Sequence, residues 1–512
     1  MRGLKTNKSV IRQKIFEEIA ALAYTGGGAA EMEEIPFKII PGEVATYRDS
    51  VFAERAVVGQ RLRAAMGMSL FSGGESRRIS EGLEDSMISD KYYEPPLIDI
   101  IKYACHSCPE KRVLITNGCQ GCFEHPCIDV CPKKAIKMVN GKSVIDEILC
   151  IKCGKCAEVC PYNAIIVQER PCQKACGIKA ISSDEFGRAN IDHSKCVSCG
   201  QCLVSCPFGA IVDKSQIYQT VKATMSDTPV YAIVAPAIAG QFPQMGFKKM
   251  RSSFKALGFT DVVEVAVGAD LCTIQEAQDF IDEVPAKIPY MATSCCPAWA
   301  KMIRNEFPDQ SEKISMSLTP MVLTARLIKK EHPEAKICFI GPCAAKKLEA
   351  SRKDVKSYVD FVLTFEELGG MFKAKNVNFE EMAEEELPYH TSADGRGFAQ
   401  SGGVAQAVVN LLGQTHPELE VKVNAAQGLA DCKKMMMLAK VGKYNGYLLE
   451  GMACPGGCIA GAGTILPINS AKKTLAQSMT ESKFNSPLDA SYSNELEEIE
   501  ELFSDRDSFN KD

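Results

Sequence analysis

Histidine and tryptophan are scarce in this chain, with six and one residues in 512, so a metal site built on imidazole has little to draw on. His106, His125, His193, His332, His390 and His416 fall at no metal-binding spacing and carry no assigned role. A basic surplus is also missing: the formal net charge of -5 offers no electrostatic footprint for nucleic acid. No apolar run approaches the ~18–20 residues that span a bilayer, and the first 22 residues are charged throughout, without the apolar core of an export signal. No membrane span and a cytoplasmic location are therefore expected. The apolar and charged fractions, 46% and 24%, are those of an ordinary globular protein. At 512 residues, two to four domains of roughly 100–200 residues are expected.

Cysteine is the exception, with 24 residues. In a reducing compartment, closely spaced thiolates hold metal more readily than they pair with each other. Zinc sites also use C-x2-C pairs, so the spacing of each group has to decide.

The cysteines divide the chain into four stretches. Residues 1–95 have none and read as a helical cap or docking segment, with apolar positions at helical spacing in Val10, Ile11, Ile15 and Ile19 and again across 51–66. Residues 96–213 hold sixteen cysteines. Residues 214–465 alternate strand-like apolar runs (230–234, 336–340, 360–363, 447–449) with helical patterns at 246–257 and 320–331, the rhythm of an α/β architecture. The tail, 466–512, is polar and acidic and ends in an amphipathic stretch, 495–503, that reads as a solvated or docking helix.

In the second stretch, Cys150, Cys153, Cys156 and Cys160–Pro161 follow the pattern C-x2-C-x2-C-x3-C-P, and Cys196, Cys199, Cys202 and Cys206–Pro207 repeat it. Three cysteines on a tight loop ligate one iron–sulfur cube, and the fourth, before the proline, reaches a neighbouring cluster. Each run therefore needs a partner. Cys119, Cys122, Cys127 and Cys131–Pro132 supply one, in an expanded form. Crossing the fourth cysteines gives one cube on Cys119, Cys122, Cys127 and Cys160 and a second on Cys150, Cys153, Cys156 and Cys131.

Cys172 and Cys176 look like the back half of a run, and Cys105 and Cys108 like a front half. We read them as one ferredoxin-like half interrupted by a complete two-cluster module. A third cube would then sit on Cys196, Cys199, Cys202 and Cys176, and a fourth on Cys105, Cys108, Cys172 and Cys206. This nesting resembles the electron-transfer subunits of some molybdenum enzymes. The alternative is that Cys105 and Cys108 bind zinc or nothing and that Cys172 and Cys176 are remnants. A row of cubes is a wire, which needs a redox centre at one end and an external carrier at the other.

Eight cysteines remain in the third stretch, too dispersed for spacing to define a cluster. Their contexts are more telling. Thr293-Ser294-Cys295-Cys296-Pro297-Ala298-Trp299, Gly341-Pro342-Cys343-Ala344-Ala345-Lys346-Lys347-Leu348-Glu349 and Met452-Ala453-Cys454-Pro455-Gly456-Gly457-Cys458 resemble, in order, the three signature loops of [FeFe]-hydrogenases. The resemblance extends to Val234-Ala235-Pro236 and Gly268-Ala269-Asp270 and covers about half the chain. It implies an α/β (α+β) catalytic domain of two lobes, each a small sheet flanked by helices, preceded by ferredoxin-like 4Fe-4S domains and the N-terminal helical segment.

By the same resemblance, Cys296, Cys343, Cys454 and Cys458 would hold a cubane, with Cys458 bridging to a two-iron subsite that carries CO, cyanide and a dithiolate. This composite group is the H-cluster. Soft thiolates suit low-valent iron, and Gly456, Gly457, Gly461 and Gly463 let backbone approach it closely. Lys346 would donate to a cyanide, Met452 would pack beside the bridging CO, and Ala235 and Pro236 would line the site. Cys295, spare beside a ligand, would carry protons if its surroundings lower its pKa. The relay would continue through Glu276, Ser315 and Asp279, an aspartate where the family usually has glutamate; Glu276 and Asp279 would look the same on an exposed helix face. The family also implies H₂ and protons as substrates, ferredoxin or a similar low-potential carrier as partner, and maturation factors for the two-iron subsite.

The chain departs from the best-known members at Gly341, where a methionine is usual, at Pro455, where a histidine is usual, and at Ala298, where a glycine is usual. Gly341 is expected to open space beside the two-iron site, and Pro455 to remove a hydrogen-bond donor. Cys272 and Cys338 read as core; Cys432, before a methionine run, reads as core or as nearer the site. Two other functions compete: a non-catalytic relative acting in iron–sulfur assembly or redox sensing, and an electron-transfer subunit of a larger complex. Cys295 and Cys296 together with Lys346 speak against the first, and the three loops would go unexplained in the second.

Overall fold

The computed structural model describes residues 5–71, 77–88, 95–352, 355, 358–490 and 492–493; the stretch 495–503 lies outside the described residues. The isoleucines at 11, 15 and 19 fall on one face of a helix, Asn7–Thr25, which starts at the Thr6–Ser9 capping box and stops at Gly26 in the left-handed conformation. Helices Ala29–Ile39 and Val51–Ala65 pack on it. This layer is not a separate body. Ile15, Phe16 and Ile19 join the same apolar core as Leu368, Met371 and Phe372 of helix Phe365–Ala374, and Gly370 brings the two helices so close that a Cβ there would sit 2.6 Å from that of Phe16.

A buried ionic knot ties the layer down. Arg12 pairs with Asp213 at 3.3 Å and Glu366 at 2.7 Å, and Lys347 pairs with Asp213 at 2.9 Å and Glu367 at 3.0 Å. Burial alone would raise the Asp213 pKa, but Lys347 and Arg12 bring it down to about 2. The knot joins the first helix, the end of the cysteine-rich region and the C-terminal region.

The cysteine-rich region is two nested hairpin frames. Its first strand, Ile98–Ile100, pairs antiparallel with its last, Ile211–Asp213. Inside that frame Arg112–Ile115 pairs with Ile165–Gln168. The inner unit has its own small core around Val113, Ile136 and Ile165, and the outer unit another around Ile98, Ile181 and Ile211.

The C-terminal region has two parallel sheets. One runs in the order Asp261–Glu264, Val230–Val234, Lys336–Gly341, Phe361–Thr364; the other in the order Met291–Ala292, Tyr447–Met452, Lys422–Gln427. Ile337, Cys338 and Ile340 are buried without alternation, as expected where helices cover both faces of a parallel sheet. The fold class is thus mixed α/β, small sheets flanked by helices behind a ferredoxin-like region. The polar segment after 466 forms a helix, Ile468–Thr480, that buries Ala471 and Leu475 against this core. Among the described residues no helix is long and apolar enough to cross a membrane.

Candidate functional site

Ala235 and Pro236 follow strand Val230–Val234, Cys295 and Cys296 follow Met291–Ala292, Pro342 and Cys343 follow Lys336–Gly341, and Ala453 and Cys454 follow Tyr447–Met452. Strands of both sheets therefore aim their carboxyl ends at one crevice, the place where open parallel sheets receive ligands. Cys296, Cys343, Cys454 and Cys458 line it, together with Cys295, Lys346, Met452, Ala235 and Pro236, around a cavity of ≈ 90 Å³. One water needs roughly 10–15 Å³ on that measure, so there is room for a group of several atoms.

The four thiols are raised by burial, and Cys343, Cys454 and Cys458 also by their neighbours in the set. Cys454 is pushed up by burial and then by Cys343, Cys296 and Cys458; Cys458 by burial and then by Cys343 and Cys296; and Cys343 up to about 11 by burial and Cys296. Iron would displace their protons, because only the thiolate ligates. Among the described residues no three His, Cys, Asp or Glu side chains close on one point tightly enough for a single ion. The thiols instead ring a volume, which fits a multi-iron group. Lys346 fits its anionic part. Burial pushes its pKa down and Glu349 more than restores it. Nζ pairs with Glu349 Oε2 at 2.6 Å, and because an ammonium carries more N–H donors than one carboxylate oxygen accepts, it keeps donors to spare beside the cavity.

Two details differ from expectation. Gly341 does not open space: a side chain there would meet the Phe339 ring at 2.6 Å and Ala235 at 3.1 Å, and Phe339 itself lines the cavity. The freedom of Gly457, at φ 88, serves the protein's own closure, because a Cβ there would strike the backbone of Gln400 and Ser401. Pro455 is exposed, outside the cavity lining. Cys272, Cys338 and Cys432 are fully buried.

Glu276, on helix Ala266–Glu283, is fully buried, so that helix face is not solvated. Burial raises its pKa to about 8, against the partial opposition of the Ser315 hydroxyl and the Ser294 N–H. Neither of its oxygens makes a well-aligned hydrogen bond. Cys295 lies within electrostatic range; its thiol is raised, first by burial and then by Glu276, not lowered as the sequence reading required, and so stays protonated.

A residue missed in the sequence links the outer groups. The Ser317 hydroxyl donates to Asp279 Oδ2 at 3.1 Å, and the Ser317 N–H donates to Ser315 Oγ at 3.1 Å. Its only sequence signal is its position two residues from Ser315, on the same side of an extended segment. Beyond these groups lies a second cavity of ≈ 500 Å³, which Ser294, Ser315 and Ser317 line on one side.

In the cysteine-rich region the backbone records a fourfold repeat. Ser107, Gly121, Lys152 and Ser198 each have positive φ two residues after the first cysteine of a front half, Cys105, Cys119, Cys150 and Cys196. Lys134, Asn163, Lys179 and Gly209 have it three residues after Cys131, Cys160, Cys176 and Cys206. Left-handed backbone is unfavourable for lysine and serine, so its recurrence at matched positions marks one loop design used four times. The segments around Cys105 and Cys176 share that design. Cys131, Cys160 and Cys176 each accept the N–H of the alanine four residues on, at 3.3, 3.4 and 3.2 Å.

Among electrostatic neighbours, Cys202 faces Cys199, Cys196, Cys176 and Cys172, Cys172 faces Cys206 and Cys105, and Cys108 faces Cys105 and Cys206. Cys156 faces Cys150 and Cys153, and the Ser143 hydroxyl reaches both Cys119 and Cys127. Cys199 also lines the cavity of the four thiols, and Gln201, another residue missed in the sequence, donates to Cys454 Sγ at 3.2 Å.

Residues 228–462 match the model of the iron only hydrogenase large subunit, C-terminal domain; residues 149–210 match a 4Fe-4S dicluster domain and 119–170 an LdpA Fe-S cluster-binding domain. The NADP-reducing hydrogenase subunit HndD of Solidesulfovibrio fructosivorans is 26% identical over 62% of this chain and 56% of its own length. Iron hydrogenase 1 of Clostridium pasteurianum is 28% identical over 65% of this chain and 67% of its own. A probable cytosolic Fe-S cluster assembly factor of Aedes aegypti is 25% identical over 48% and 61%. The chain thus spans little more than half the length of the first of these relatives.

Proposed function

We propose that this [FeFe]-hydrogenase-like large subunit, with iron–sulfur cluster-binding domains ahead of the hydrogenase C-terminal domain at 228–462, interconverts protons and H₂ (2 H⁺ + 2 e⁻ ⇌ H₂). Electrons would pass between the site and ferredoxin or a similar low-potential cytoplasmic carrier. The observation that carries this reading is the gathering of Cys296, Cys343, Cys454 and Cys458 around one cavity with a fifth thiol, Cys295, and a buried ammonium, Lys346. These four thiols would hold the H-cluster, with Lys346 facing its anionic ligands and Met452, Ala235 and Pro236 packing around it. When bound, that group supplies the metal chemistry of H–H bond making and breaking.

The protein's own groups supply the protons. Cys295 keeps its thiol proton at the cavity, and buried Glu276 carries a pKa near working pH, the condition under which a carboxyl both takes and gives a proton efficiently. Ser315 and Asp279 would continue outward, each held by Ser317, whose backbone N–H orients the Ser315 hydroxyl and whose own hydroxyl fixes Asp279, with the larger cavity beside them giving access to solvent protons. The four cubes would carry the electrons, with Gln201 and Cys199 at the junction with the catalytic thiols.

Infrared spectra of protein matured with its assembly factors are expected to show iron-bound CO and cyanide bands, and the same sample to reduce methyl viologen with H₂. A matured protein with neither bands nor turnover would instead support a non-catalytic role, such as the Fe-S cluster assembly named for the Aedes aegypti relative. Iron quantitation tests the wire separately. About sixteen irons beyond the catalytic site are expected after anaerobic reconstitution, and Cys172→Ser with Cys105→Ser should remove about four of them. A content near eight in the parent protein would show that only two cubes are present.

A further inference from the structure

The N-terminal helical layer, residues 5–71, lies outside every domain matched above, yet three of its cations converge on one loop of the cysteine-rich region. Lys8 Nζ donates to the carbonyls of Leu203, Val204 and Cys206 at 3.4, 3.0 and 3.1 Å. Arg48 Nη2 donates to Phe208 O at 2.7 Å, and Arg61 Nη2 donates to Gly209 O. Gly209, at φ 60, is shaped for this approach: a Cβ there would stand 2.5 Å from Arg61 Nη2 and 3.3 Å from Lys8 Cγ.

Arg61 is poorly answered by the protein itself. Arg61 is almost fully buried, and its pKa falls to about 9, first through burial and then through the like charges of Arg12 and Arg48; Cys206 and Asp213 only partly oppose this. Buried positive charge is costly without an anionic partner. A cube ligated by four thiolates is such a partner, and it gains one further negative charge on reduction.

We infer that Lys8, Arg48 and Arg61 form a cationic clamp that raises the reduction potential of the cube held through Cys206, so that the N-terminal layer tunes one cluster of the wire. The inference rests on the four-cube reading, specifically on the quartet Cys105, Cys108, Cys172 and Cys206. The clamp also covers this end of the region, whereas Cys153 of the inner unit is exposed, so an external carrier meets the inner unit's cubes more directly.

Carbonyl capping of the short helix Gln201–Ser205 needs only hydrogen-bond donors, whereas tuning needs charge, and the two separate experimentally. In the reconstituted full-length protein, redox titration followed by electron paramagnetic resonance should show one of the four cubes shifted downward in Lys8→Met. At a fixed potential its reduced-to-oxidised ratio should fall about tenfold, equivalent to 59 mV for one electron. Arg48→Met, which alters a less buried contact, should shift the same signal in the same direction, and Lys8→Arg should restore it, with the other three cubes unmoved throughout. Unshifted potentials in both neutral variants at full iron content would overturn the clamp while leaving the wire intact. A parent protein with only about eight non-catalytic irons would overturn the clamp together with the four-cube reading.

Discussion

Replacing Cys295 with alanine is expected to lower H₂ turnover by about 10²–10⁴-fold, the span associated with a positioned proton-transfer group, while iron content and the CO and cyanide bands stay at parental levels. The separation follows from position. Cys295 lines the cavity beside Cys296 but is spare to the proposed ligand set, and burial together with Glu276 keeps its sulfur protonated. Cys295→Ser keeps a hydroxyl that holds its proton far more tightly than a thiol, so it should recover little. Parental rates in the alanine variant would remove Cys295 from the proton path, and lost iron would make it a ligand or a structural residue.

For Glu276→Gln two effects of opposite sign are expected in one protein. Turnover should fall by a similar ~10²–10⁴-fold, because an amide does not pass a proton between the Ser315 hydroxyl and the cavity. Stability of the metal-free protein should rise relative to the parent as pH increases. The folded carboxyl titrates near 8 because it is buried, against about 4.5 for the free group. Between those values the folded state holds a proton that the unfolded state has released, so the parent loses stability as pH climbs through that window. Glutamine has no such charge to bury. The advantage of Glu276→Gln should be small below pH 4.5 and reach ~2–5 kcal/mol above pH 8. Melting temperatures of the two proteins across pH measure it. A difference that stays constant with pH would mean that residue 276 is not a buried, titrating acid.

These experiments address residues that the sequence exposed to different degrees. The helix from Asn7 and the strand Val230–Val234 were legible because their apolar periods are uninterrupted and their neighbours enforce the same geometry. Strand Lys422–Gln427 was not, since it carries no apolar alternation and lies at a sheet edge, held by backbone pairing with Tyr447–Met452. Ser317 and Gln201 escaped for a related reason. A lone serine or glutamine has no periodicity, and its role follows only from what lies across from it, Asp279 for one and Cys454 for the other. Gly341 misled outright, because the space left by a missing side chain belongs to whichever neighbour reaches it first, and Phe339 does.

The sequence by itself determined the ligand chemistry: which thiols are present, their grouping into runs with a fixed local loop, and the three loops that resemble hydrogenase signatures. Those features are local or compositional, and short-range geometry is encoded by adjacent residues. Only the tertiary structure decided that two parallel sheets point Cys296, Cys343, Cys454 and Cys458 into one crevice. It likewise decided that Glu276 is buried rather than solvated, that the thiol of Cys295 is raised rather than lowered, and that Lys8 and Arg61 close on the Cys206 loop. Burial and electrostatic environment are set by residues tens to hundreds of positions away, and their effect depends on distances that no local pattern records.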